Sequence, residues 1–185
     1  MRLFIALTPS PELQRTVWDC FAPLRAHALP IKWVRAEHVH LTLKFLGEVD
    51  AGREAEMVTM LGSATQGARA ITLAVRGAGA FPNPRKPRVV WAGVEPDPAI
   101  EILADSVERS FGPLGFPSEG QPFRPHLTVG RVARDARPRQ LSGLETLIEG
   151  IAVEATAVID GVDLLRSELR RDGSVYHRVH RERLS

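Results

Sequence analysis

Cysteine and lysine are scarce in this chain of 185 residues, with one copy of the first and three of the second. A lone Cys20 excludes an intrachain disulfide framework and any multi-cysteine zinc site, and it suits a reducing compartment. No apolar run approaches the roughly 18–20 residues of a membrane span. The opening Met1–Thr8 is apolar over too few residues for a signal peptide and reads as a strand. A cytoplasmic protein without membrane contacts is the expectation. Long charge blocks are missing too, which argues against a disordered tail, and there is no Gly-rich phosphate loop of the dinucleotide or nucleoside triphosphate kind.

What is present is an ordinary globular composition, 44% hydrophobic and 25% charged, at a length that fits one domain. Positive charge is carried by 21 arginines, giving a net charge of +2 and a pI near 9.1. Guanidinium forks match phosphate oxygens bidentately, so a phosphorylated partner fits this bias, as does a plain solvated basic surface.

Periodicity assigns the elements. Leu13, Val17, Phe21 and Leu24 recur three or four apart behind Pro9-Ser10-Pro11 and predict one amphipathic helix reaching about Ala28. Strands are expected over Ile31–Val34 and Val39–Leu46, with Gly47 as the stop, and a helix over Arg53–Leu61. Further strands fall at Ile71–Val75 and Arg88–Val94, separated by the proline-rich, basic loop Phe81–Pro87. Pro98–Phe111 is a helix with proline in its first turn. Leu127–Val132 is a strand and Arg139–Ile148 a short helix. Ile151–Leu165 and Ser174–Val179 read as closing strands around a turn at Asp172-Gly173. Irregularly mixed helices and strands favour an α+β fold with mainly antiparallel pairing.

One pattern occurs twice: His40-Leu41-Thr42-Leu43 and His126-Leu127-Thr128-Val129, 86 residues apart. Six histidines and nine threonines in 185 positions give well under one chance His-x-Thr match, so the repeat is specific. On a strand, residues two apart share a face. Each His therefore sits beside its Thr, while the intervening Leu points into the core. Two such strands side by side about a pseudo-twofold axis would converge two imidazoles and two hydroxyls on one volume. That set suits phosphodiester hydrolysis: one imidazole takes a proton from water, the other protonates the leaving oxygen, and the hydroxyls donate to non-bridging oxygens. Arg131, five residues after His126, is the cation expected to complete a phosphate clamp. The other histidines, His27, His38, His177 and His180, read as structural. His38 and His40 form a His-x-His, but no acidic or cysteine cluster completes a ligand set, so no metal is expected. Trp33 and Phe45 flank the first motif; either ring could stack on a base, and core packing is the competing role. Arg85, Lys86 and Arg88 either track an RNA backbone or solubilise their loop.

At these residues the chain resembles the two-histidine phosphoesterase superfamily and, within it, the RNA 2′,3′-cyclic phosphodiesterases once called 2′-5′ RNA ligases. The likeness runs through Arg2-Leu3-Phe4-Ile5-Ala6-Leu7, Trp33-Val34-Arg35, both motifs, Phe81-Pro82-Asn83-Pro84, and the ending from Leu165 to Tyr176. It implies a single bilobed domain over residues 1–185, built from two mainly antiparallel sheets related by a pseudo-twofold axis, with outer helices and a central cleft. It also implies catalysis without cofactor or metal, with His40 as proton donor and His126 as acceptor. Thr42, Thr128, Arg131 and Phe45, read from the residues above, are the expected binding groups for a substrate ending in a 2′,3′-cyclic phosphate, and a monomer is the expectation. The alternatives are joining of RNA halves by a 2′-5′ linkage, and an RNA-binding module without catalysis.

Overall fold

A computed structural model describes residues 1–185 except Glu119, Arg171 and Asp172. In chain order its strands are β1 (Arg2–Leu7), β2 (Ile31–Trp33), β3 (Leu41–Glu48), β4 (Ile71–Phe81), β5 (Val89–Val94), β6 (His126–Val132), β7 (Glu154–Ile159), β8 (Gly161–Arg170) and β9 (Gly173–Arg183). The helices are α1 (Pro11–Cys20), α2 (Ala22–Arg25), α3 (Glu54–Ala64), α4 (Pro98–Phe111) and α5 (Leu144–Glu149).

The expected mixed, antiparallel architecture is found, and all strand pairs are antiparallel. One lobe runs β3-β1-β8-β9 and the other β6-β5-β4-β7, with β2 alongside β6. The two half-sheets meet through one bridge, Leu41 to Leu127. From that bridge outward, β3 corresponds to β6, β1 to β5 and β8 to β4. Helices α3 and α4 lie against the first lobe at β9 and β3, and α1 and α5 against the second at β7 and β4.

Local signals explain the helix starts. Ser10 accepts the Leu13 amide at 3.3 Å ahead of α1, and Asp97 accepts the Ala99 amide at 2.7 Å ahead of α4; both use the side-chain oxygen that an N-terminus needs. In α4, Ile100, Leu103, Val107 and Phe111 form the buried stripe.

Several boundaries differ from expectation. The first helix breaks at Phe21, because Pro23 lacks the amide that would bond the Asp19 carbonyl and its ring crowds that group. Gly47, at φ +71°, lets β3 continue to Glu48 rather than ending it. β4 runs on from Val75 to Phe81 because a bulge absorbs Gly77, at φ +71°. Gly143, at φ +81°, divides the expected helix near Arg139–Ile148 into a 3₁₀ turn and α5. The single strand expected over Ile151–Leu165 is two, and they serve different lobes: β7 pairs with β4 and β8 with β1. Of the expected Asp172-Gly173 turn, Asp172 lies outside the described residues.

Candidate active site

The bridge at Leu41–Leu127 builds the site. Both leucines are wholly buried, so their neighbours on either side project to the opposite, concave face. Antiparallel pairing about this bridge sets His40 across from Thr128 and Thr42 across from His126. The two motifs are thereby brought together by one pair of core residues. Although β3 begins only at Leu41, His40 keeps the strand's alternation.

The two imidazoles are fixed in the same way. His40 donates from Nδ1 to the His38 carbonyl at 2.7 Å, and His126 donates from Nδ1 to the Arg124 carbonyl at 2.7 Å. A carbonyl can only accept, so the proton of each neutral ring sits on Nδ1 and the Nε2 lone pair is left for chemistry. In His40 this Nε2 lies 3.1 Å from Thr42 Oγ1. Burial pushes His40 down to about 4, with the nearby charges of Arg131, His38 and His126 acting in the same direction against the bond to His38. Burial likewise lowers His126, and Arg131 adds to it. Both rings are therefore neutral at pH 7 in the unliganded protein.

Arg131 acts electrostatically on both histidines, although an odd separation of five residues places it off their face on a regular strand. A register shift between β5 and β6, at Val90/Trp91, resets the alternation: Leu127 and Val129 are buried before it, Val132 after it, and Arg131 is exposed. The first motif has the same device. A shift between β1 and β3 at Ile5/Ala6 brings Phe45, also five residues after its histidine, to the concave side, where it is 49% exposed and 6.1 Å from Phe4. Phe45 and Arg131 thus occupy equivalent positions in the two halves, one aromatic and one cationic.

Aromatic side chains that motif spacing did not reveal hold the imidazoles. Tyr176, on β9, meets His40 edge-on at 5.2 Å and 87°, with Phe4 at 4.9 Å from the same ring. Phe81, at the end of β4, meets His126 edge-on at 4.9 Å and 85°, and is backed by Trp91 at 5.1 Å. Only the sheet order brings these distant positions to the motifs; the composition carries no signal for them. Trp33 instead packs over Gly130 toward the core. His38 turns its ring to Tyr176 at 4.9 Å. Arg85 approaches Glu145 at 3.9 Å, and Lys86 is exposed on the same loop.

A cavity of about 1010 Å³ opens beside His126 and Thr42, walled by Phe45, Phe81, Phe123, Arg88 and Arg124. Its α4 side carries Glu101, Asp105 and Glu108. Under its floor Lys44, wholly buried, donates to Glu108 Oε2 at 2.6 Å and to the Pro117 carbonyl at 3.1 Å, which ties β3 to α4 and to the segment leading to the second motif. Among the described residues no cluster of three His, Cys, Asp or Glu side chains is placed to hold a metal.

In sequence and fold the chain is similar to known proteins. The family model described as LigT like Phosphoesterase matches residues 7–91 and 94–176. A Methanothermobacter thermautotrophicus protein named RNA 2′,3′-cyclic phosphodiesterase is 34% identical over 176 residues, covering 95% of each chain. A Thermotoga maritima protein of the same name is 32% identical over 177 residues, covering 95% of this chain and 91% of its own. Among solved structures, a Thermus thermophilus protein superposes with a TM-score of 0.84 at 26% identity, covering 100% of this chain and 98% of its own. LigT of E. coli, complexed with 3′-AMP, gives 0.78 at 26% identity with the same coverage.

Proposed function

This chain belongs to the LigT-like phosphoesterase family, and on that premise we propose that it hydrolyses 2′,3′-cyclic phosphate ends of RNA to 2′-phosphomonoesters, using His40 and His126 without a metal. The activity for which the relatives are named supports the substrate class. The observation that carries the reading is the placement of two histidines diagonally about one strand bridge, each with its Nδ1 proton committed to a carbonyl.

In the proposed reaction His126 Nε2 takes a proton from water as its oxygen bonds to phosphorus. The bond from phosphorus to the 3′ oxygen breaks, and His40, protonated, gives its Nε2 proton to that oxygen. One water is consumed and the 2′ ester remains. Free His40 is neutral at pH 7, so the anionic substrate must raise its proton affinity on binding, as an opposite charge does. Thr42, Thr128 and Arg131 donate to the non-bridging oxygens, where charge develops. Phe45 forms part of the wall against which the terminal base stacks.

His40→Ala and His126→Ala are each expected to lower kcat by roughly 10²–10⁴, the usual worth of a positioned acid or base, with the double variant far from additive. A substrate with a good leaving group needs little protonation and should restore activity to His40→Ala but not to His126→Ala. Rescue of the opposite variant would exchange the two roles. Full activity of both on the cyclic phosphate would end the two-histidine reading.

A further inference from the structure

Outside the histidine cluster, one pair of charges is placed against ordinary sheet energetics. Lys32 on β2 and Arg131 on β6 are direct cross-strand partners. The flanking pair, Ile31 and Val132, is buried in the core, so both cations project to the opposite side, where both are exposed. Like charges directly opposite one another destabilise a sheet. Among the described residues neither cation has a carboxylate within 4.0 Å.

The strand that carries Lys32 is firmly seated. A Cβ at Gly130 would lie 2.7 Å from Ile31 Cγ2 and 2.9 Å from the Trp33 ring, so the absence of a side chain there allows β2 to close on β6. Val34 continues the contact, donating to the Val129 carbonyl at 2.9 Å. Arg131 faces the histidines and lowers the proton affinity of both. Lys32 stands one strand spacing away, ~4.8 Å. A row therefore leads outward from the imidazoles through a guanidinium to an ammonium.

We propose that Lys32 forms a second phosphate subsite, holding the phosphodiester on the 5′ side of the terminal nucleotide while Arg131 lies between the two phosphates. The protein is then a reader of RNA ends rather than of free cyclic mononucleotides. This rests on the function proposed above. An anion bridging the two cations removes their repulsion and accounts for the missing carboxylate.

The test uses three substrates with the same 2′,3′-cyclic end: a mononucleotide with a free 5′ hydroxyl, a dinucleotide, and that dinucleotide with a neutral methylphosphonate linkage. Wild type is expected to show kcat/KM roughly tenfold higher for the charged dinucleotide than for the other two. Lys32→Gln should erase most of that ratio through KM. The dependence of KM on salt for the charged dinucleotide should be weaker in Lys32→Gln than in wild type, because one screened ion contact is lost. An equal effect on all three substrates, or none, would overturn the subsite and leave Lys32 as a solvated surface charge. A wild type inactive on every substrate would instead remove the functional reading beneath it.

Discussion

At the scale of single residues, the behaviour of this site is set by imidazoles that resist protonation. The unfolded chain takes up a proton at the His40 ring below its ordinary pKa of 6.5, whereas the folded protein does so only near 4. The stability associated with this ring is therefore complete above pH 6.5 and is lost as pH falls through about 4, by up to ~3 kcal/mol. His126 is shifted in the same direction and adds to the acid sensitivity. His40→Asn, which keeps a polar side chain and cannot titrate, should flatten the fall in urea-unfolding free energy between pH 7 and pH 4.5. An unchanged slope would mean that other groups control acid unfolding. These two histidines could be singled out in the sequence because they sit in a repeated motif. Arg131 and Phe45 could be named as candidates, but their presence on the same face as the histidines depends on register shifts between strands, and a single strand's sequence does not encode its partner's register.

At the scale of elements, the aromatic wall behind His126 depends on glycine. A Cβ at Gly79 would lie 2.2 Å from Trp91 Cζ2, so the indole lies flat across β4 only because that position is bare. Gly79→Ala is expected to displace Trp91 and, through it, Phe81 and the edge contact on His126. Overpacking of this kind costs about 1–3 kcal/mol, and here kcat should fall as well, since the displaced rings orient the proposed base. Thermal melts and turnover measured on the same preparation check this, and a variant equal to wild type in both would show that the wall plays no part. Glycines also explain why β4 was only half visible in the sequence. Gly77 and Gly79 weaken strand propensity, yet the bulge and the indole use them. The break after α1 was similarly hidden, since the hydrophobic spacing runs straight through Phe21 while Pro23 interrupts the hydrogen bonding.

For the whole molecule, the exchange of elements between lobes governs folding. β4 follows the first motif in sequence but pairs with β5 in the second lobe, and β8 follows the second motif but pairs with β1 in the first. α1 and α4 cross over likewise, packing on β7 and β3. Neither half of the sequence therefore contains a complete lobe, and the largest core cluster spans both. Urea unfolding should be one cooperative transition, with tryptophan fluorescence and far-UV circular dichroism coinciding. Fragments 1–84 and 85–185, produced separately, should each lack dispersed NMR spectra. Two separated transitions, or one folded fragment, would show that the lobes are independent.

The sequence by itself determined the α+β class, most of the strands and helices, and the identity of the paired histidines and threonines, because hydrophobic period and a repeated His-x-Thr are local properties. Only the tertiary structure decided which strands share a lobe, that one buried leucine pair joins the motifs, and that Tyr176, Phe81 and Lys32 stand around them. Those facts rest on hydrogen bonds and contacts between residues far apart in the chain, such as Lys32 with Arg131 and His40 with Tyr176, and no local pattern specifies which distant partner completes a sheet.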